Sequence, residues 1–171
     1  MLKHFVLGVV SAVVVAVACA YVAIASGVIP AAADGGPLVL ERWAARTSLR
    51  ATLARDAPKD PNPVALTDAN LIAGIRLYGQ RCAICHGTAA GDVSPIARGE
   101  YPAPPQLASN GVENDPQGWT FWKIENGIRW TAMPAWKATL NARQIWTLAL
   151  FLKHMQKLPP AAEQAWQQVR N

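Results

Sequence analysis

The sequence has 171 residues, which is enough for one modest domain and some additional segments. Its net charge of +5 is spread along the chain rather than gathered in one block, so it does not indicate a nucleic-acid partner. This excess is compatible with simple solubility or with attraction to an acidic protein partner. Three cysteines provide no set of disulfide bonds from which a fold could be argued.

The first segment is an apolar run without charge from Phe5 to Val28. The apolar core of a secretory signal has about 7–15 residues, whereas a membrane-spanning helix needs about 20. We therefore predict that residues 1–29 are an N-terminal membrane anchor, with a cleaved signal peptide as the alternative. Lys3, on the short side of the run, predicts a cytoplasmic N-terminus with everything after the run exported.

Residues 30–66 are predicted to connect this anchor to a domain. The stretch 38–55 favours a helix with Arg42, Arg46 and Arg50 along one edge. We interpret it as a solvated spacer because its apolar residues form no clean stripe, and a basic helix near anionic lipid headgroups is the alternative. Three prolines between positions 58 and 63 predict a stiff, extended linker and a domain boundary.

The domain is predicted to begin with a helix that Thr67 or Asp68 caps and that runs to about Arg81. Apolar residues recur along it at helical spacing. Gly74 lies on the same face, where glycine costs about 1 kcal/mol relative to alanine. A close crossing by another helix would explain it.

The sequence Cys82-Ala83-Ile84-Cys85-His86 follows directly. Two cysteines separated by two residues, with histidine next, form the attachment pattern of c-type haem. The two thiols can form thioethers with the two vinyl groups of one porphyrin, and the histidine becomes the proximal iron ligand. A thiol redox motif or half of a zinc site is the alternative. However, no strand pattern precedes Arg81, and no second pair of zinc ligands is present.

Two further helices are predicted after a long segment, 87–115, that has no sustained periodicity. We expect this segment to pack against the haem edge, since so long a loop is uncommon in a small domain. Asp115 is predicted to cap the next helix, with Pro116 at its first position and Gly127 after its end. Asn141 and Gln144 form a capping box that starts the last helix.

Pro159-Pro160 ends that last helix, and residues 159–171 are predicted to be a short tail that could be helical from Pro160. The tail carries Trp166, to which the sequence assigns no function.

A haem iron bound by His86 needs a ligand on its other side, and three residues are candidates. Met133 lies on a loop between two helices, followed by Pro134, and can present its sulfur to an iron. Met155 continues the apolar stripe of the last helix and is predicted to be a core residue. His154 is predicted to be a solvated partner of the helix dipole. We therefore predict Met133 as the distal ligand.

The chain from about Thr67 to Leu158 resembles a class I cytochrome c, of the short bacterial kind found in subunit III of cbb3-type cytochrome c oxidases. The resemblance rests on four features of the sequence: a first helix with Gly74 and Tyr78 before the Cys-x-x-Cys-His-Gly motif, Pro105-Gln106-Leu107, Asn126-Gly127 followed by Met133-Pro134, and a final helix with Trp146, Leu150 and Phe151. Thr131-Ala132 before Met133 departs from the more common Thr-Gly.

This resemblance implies an all-α fold of class I cytochrome c-like helices wrapped around one covalently bound haem, preceded by a single transmembrane helix. It implies that the first and last helices cross at Gly74. It also implies that the carbonyl of Pro105 accepts the free ring N–H of His86. The cytochrome domain is predicted to span 67–158.

With both axial positions filled, the predicted function is one-electron transfer rather than catalysis. The haem domain is expected in the periplasm, held to the bacterial inner membrane. Its expected partners are redox proteins, either a periplasmic dehydrogenase or a membrane respiratory complex of which it could be a relay subunit. A haem enzyme or gas sensor with an open distal site is the alternative.

Overall fold

A computed structural model describes residues 1–170 of the chain, and in this range every regular element is helical, with no β-strand. The predicted all-α fold class is therefore confirmed. The chain divides into two compact units, Met1–Gly35 and a second unit from Gly36 onward.

The first unit is essentially one helix, α1, from Leu2 to Ala25. Its 24 residues are long and apolar enough to cross a membrane, and none of them is buried. The helix ends at Ser26 and Gly27, and the φ of +72° at Gly27 is a conformation in which glycine is favoured. The unit thus has the length and composition of a membrane anchor, features that a signal sequence shares.

The second unit holds seven α-helices within the described residues and one 3₁₀ turn at Trp136–Ala138. The helices in chain order are α2 (Val39–Asp56), α3 (Asp68–Arg81), α4 (Ala83–His86), α5 (Pro95–Gly99), α6 (Gln117–Asn126), α7 (Ala142–His154) and α8 (Pro160–Trp166).

Helices α3 and α7 cross at Gly74. A Cβ atom at this position would lie 2.7 Å from Cβ of Phe151 and 2.7 Å from the backbone oxygen of Thr147, so only glycine permits the approach. The crossing implied by the family resemblance is confirmed. The start of α7 is also confirmed, because Asn141 and Gln144 exchange the two hydrogen bonds of a capping box, each 2.9 Å long.

Helix α8 belongs to the core of the second unit. Trp166 is 4% exposed and makes edge contacts with the rings of Tyr78 and Phe151, at centroid distances of 5.4 and 5.3 Å. The helix contacts α3. The tail is therefore helical from Pro160, and it closes the core on the side of α3.

The proline-rich linker lies against the core rather than in solvent. Gly118 in α6 faces the carbonyl of Pro58 so closely that no Cβ atom could be accommodated. The Asn62 side chain donates to Oε1 of Gln117 at 2.6 Å and to the backbone oxygen of Trp146 at 3.0 Å. Val64, 3% exposed, joins the same core.

Two predictions in the region 87–116 are wrong in detail. The cap residue of α6 is Pro116, and the carboxylate of Asp115 pairs with Nζ of Lys123 at 2.8 Å instead of capping the helix. The long loop also contains the short helix α5, whose cap Ser94 accepts a hydrogen bond from the N–H of Ala97. Five residues are too few to produce a detectable period.

Candidate functional site

The two cysteines and the histidine of the motif share one helical turn. Cys82 is the cap residue of α4, and its backbone oxygen accepts from the N–H groups of Cys85 and His86 at 3.1 and 2.9 Å. Both thiols are free, and Sγ of Cys85 donates to Oε1 of Glu100 at 3.0 Å. The turn therefore places the two thiols and the imidazole on one short rigid element.

Both thiols are held in the protonated form. Burial raises the pKa of Cys82 to about 12, and burial together with the hydrogen bond to Glu100 raises the pKa of Cys85 to about 11. Thiol redox motifs instead depend on a cysteine with a lowered pKa. Moreover, within residues 1–170 no group of three or more His, Cys, Asp or Glu side chains could hold a metal ion by itself.

The imidazole of His86 is oriented by the chain that follows. Its Nδ1 lies 2.9 Å from the carbonyl oxygen of Pro105, and because this oxygen only accepts, Nδ1 carries the hydrogen. Nε2 then keeps its lone pair and can bind a metal. A carbonyl partner on the other ring nitrogen is the usual arrangement of a metal-binding histidine.

The backbone around His86 is held by contacts from several distant segments. The N–H of Leu107 donates to the His86 carbonyl at 3.0 Å, and Nε2 of Gln106 donates to the Cys85 carbonyl at 3.0 Å. The hydroxyl of Tyr78, fully buried, donates to the Gly87 carbonyl at 2.8 Å. Ser94 donates to the Ile84 carbonyl. We call residues 82–87 the proximal segment.

Met133 lies on a loop that bonds mainly to itself, which we call the distal loop (residues 127–134). It begins at Gly127, where φ is +67°, and the N–H of Ile128 donates to the Met133 carbonyl at 3.2 Å. The Thr131 hydroxyl accepts from the Met133 N–H at 3.1 Å and donates to the Ile128 carbonyl at 2.7 Å. Met133 itself is half-buried and packs against the core.

The two rival candidates for a metal ligand lie at the end of α7. Met155 is 5% exposed within the hydrophobic core, as its place on the apolar stripe predicts. Burial and the neighbouring charge of Lys153 lower the pKa of His154, which favours its neutral form. His154 is thus less solvated than the sequence suggests.

The donor set of this site fits a c-type haem. Two protonated thiols three residues apart can add to two vinyl groups, and an imidazole with a free Nε2 can bind the iron. A thioether on a preformed loop can supply the second axial ligand. The residues that would hold the group are Cys82, Cys85, His86 and Met133, with Pro105 orienting the histidine.

Comparison with known protein families agrees with this chemistry. Residues 69–152, just under half of the chain, match the family described as cytochrome C oxidase, cbb3-type, subunit III. No curated protein matches the chain. The match supports a class I c-type cytochrome domain that resembles subunit III of the cbb3-type oxidases, and such a domain implies haem-based electron transfer.

Sequence reasoning finds the motif but not the groups that hold it. The buried hydroxyl of Tyr78 and the amide of Gln106 both bond to backbone oxygens of the proximal segment. From the sequence, Tyr78 is predicted only as a core position of α3, and Gln106 only as a loop residue beside Pro105. Ser94-Pro95 is the one local signal, since serine before proline is typical of a helix start.

Proposed function

We propose that the chain transfers single electrons through one covalently attached haem c, with His86 and Met133 as the axial ligands. Cys82 and Cys85 attach the porphyrin, and Pro105 orients His86. The domain acts on the periplasmic side of a bacterial inner membrane to which α1 anchors it. It is either a mobile carrier or a relay subunit of a respiratory or dehydrogenase complex.

The hydrogen bond between His86 and Pro105 carries most of this proposal. It holds the imidazole in the tautomer whose Nε2 can bind a metal, and it does so beside two protonated thiols. A histidine kept in this form needs no rearrangement to become a ligand.

The distal loop supplies the second part of the proposal. Thr131 fixes the backbone at Met133 through two hydrogen bonds, so the thioether is presented on a formed turn. When bound, a haem with histidine and methionine ligands supplies a one-electron redox centre of raised potential. Met133 in this role also fills the position at which a substrate or gas would bind.

Optical spectra of the purified holoprotein test the ligand assignment. The oxidised protein should show the weak far-red band that methionine ligation to ferric haem produces, and the reduced protein should not respond to carbon monoxide. Met133→Ala should abolish the band and allow carbon monoxide to bind. Met155→Leu is the matched control, because it changes a buried methionine at nearly constant volume and should leave the band in place.

A carbon monoxide response in the unaltered protein would contradict the proposal. It would mean that the distal position is open, and the haem enzyme or gas sensor would become the better assignment. A relay subunit is distinguished from a carrier by copurification of other haem or oxidase subunits after gentle detergent extraction.

A further inference from the structure

Helix α2 presents one covered face and one exposed face. Its covered positions are Leu49, Thr52 and Leu53, spaced as one side of a helix, and Leu53 is 2% exposed. Leu40 and Trp43 lie on the opposite side and are 72% and 63% exposed. The apolar residues at the start of α2 are therefore left largely uncovered by the described residues of the second unit.

Basic residues border this exposed apolar face. Arg46 and Arg50 follow Trp43 by three and seven residues, so they lie on its side of the helix, whereas Arg42 lies seven residues before Leu49 and on the side of the covered positions. Among residues 1–170, none of the three takes part in a salt bridge. Exposed leucine, valine and tryptophan beside arginines are residues that helices lying in the membrane interface use.

The chain also keeps this helix within reach of a bilayer. Residues 26–38 connect α1 to α2, and this connection can span at most about 45 Å when fully extended. If α1 is in the membrane, as proposed above, α2 is the first element of the second unit that can meet the headgroups. The arginine edge matches the negative charge of an anionic leaflet.

We propose that α2 binds the surface of an anionic phospholipid bilayer. Val39, Leu40 and Trp43 enter the interfacial region, and Arg46 and Arg50 contact lipid phosphates. The proposal builds on the membrane anchor of the proposed function but does not depend on the haem ligands.

Binding of α2 would also orient the haem domain, because α2 contacts it near both ends. Near its start, Oε1 of Glu41 accepts from the hydroxyl of Tyr101 at 2.7 Å, four residues before Pro105. Near its end, Leu53 is buried and the helix contacts α6. A helix held in this way restricts the rotation of the domain above the membrane.

Spin labels on the full-length holoprotein in lipid nanodiscs test the proposal. In a Cys19→Ala background, the introduced thiol is the one free cysteine once Cys82 and Cys85 carry the haem. A label at Leu40→Cys should collide more with oxygen than with a water-soluble nickel complex in nanodiscs of phosphatidylethanolamine and phosphatidylglycerol. In phosphatidylcholine alone this preference should fall. A label at Ala73→Cys, an exposed position of α3, should report water in both lipids.

Charge variants separate lipid contact from simple proximity to the membrane. Each of Arg46→Gln and Arg50→Gln should lower the ratio of the bilayer-bound to the aqueous label component by about fivefold. Arg55→Gln is the matched control on the same helix, since Arg55 pairs with Asp56 at 2.7 Å, and it should leave the ratio unchanged.

A label at residue 40 that stays in water in both lipids overturns the proposal, and a protein partner then becomes the next occupant to consider for this face. A label at Val14→Cys in α1 reports the anchor separately. The label at residue 14 tests whether α1 is in the membrane, and the label at residue 40 tests whether α2 contacts it. Either proposal can therefore be contradicted without the other.

Discussion

The proximal segment and the distal loop are built in different ways. Hydrogen bonds between residues 9 to 21 positions apart hold the proximal segment, and its partners in them are Tyr78, Ser94, Pro105, Gln106 and Leu107. The distal loop is closed by bonds within residues 127–134, chiefly those of Ile128, Thr131 and Met133. The proximal segment therefore forms when the whole domain folds, whereas the distal loop forms as a local turn.

This difference predicts unequal strength on the two sides of the site. A segment tied to α3 and to the loop after α5 cannot move without breaking contacts in the core. A turn held by a few local bonds can open while the core stays folded, because local openings cost less than global unfolding. We expect Met133 to leave the iron under milder conditions than those that displace His86.

The largest effect should follow from removing the thiols of the proximal segment. Cys82→Ala combined with Cys85→Ala should abolish covalent attachment completely, since no other cysteine lies near the motif. Haem staining after denaturing electrophoresis measures this. Cys19→Ala, outside the motif, should keep the stain, and a stained double variant would contradict the proposed attachment.

A smaller loss should follow when one distant support of the proximal segment is removed. Tyr78→Phe leaves the buried Gly87 carbonyl without its donor, which should lower the free energy of unfolding by about 1–3 kcal/mol. Denaturant unfolding of the holoprotein measures the change. Tyr101→Phe removes an exposed bond to Glu41 and should cost at most about 0.5 kcal/mol. Equal losses would mean that Tyr78 has no special role.

The distal loop should respond locally to loss of its internal bonds. Thr131→Val removes both hydrogen bonds of the hydroxyl at nearly constant shape and should weaken methionine ligation by about 1 kcal/mol. The far-red band should then disappear at a lower temperature while the unfolding midpoint moves little. Thr139→Val, which removes an exposed bond to Trp136, should not alter the band. If the temperature at which the band disappears and the unfolding midpoint fell by the same amount, the distal loop would not open separately from the rest of the domain.

The smallest change concerns Trp130, which is 89% exposed and has a φ of +62°. A bulky residue is strained in this conformation by about 1–2 kcal/mol, and glycine is not. Because glycine also gains freedom in the unfolded chain, Trp130→Gly should stabilise the protein by at most about 1 kcal/mol. Thermal unfolding measures this, and a clear loss would mean that the indole contacts the haem or another partner.

Some features of this fold could be predicted from sequence because their signals are local. Thr67 caps α3 by accepting from the N–H of Asn70, and the pair Asn141 and Gln144 marks the start of α7. The contact between His86 and Pro105 could be predicted only through the family resemblance, since residues 87–104 show no period. The intervening loop itself contains no pattern that predicts this contact.

Other features depend on long-range packing that no local pattern reveals. Trp166 is buried because Tyr78 and Phe151 provide edges for it, and a seven-residue helix is too short to indicate a buried face. The carboxylate of Asp115 had two possible partners, a helix end and a lysine, and the ion pair with Lys123 prevailed. Which of two possible partners a side chain binds depends on the packing of the folded domain.

The packing of the linker has a practical consequence for making a soluble fragment of this protein. Cutting the gene to the family match would delete Asn62 and Val64 at one end and Trp166 at the other, and would uncover Trp146, Tyr78 and Phe151. A fragment that begins at Gly36 and keeps α8 retains all of these contacts. The family match is therefore shorter than the fragment that a stable, purified domain needs.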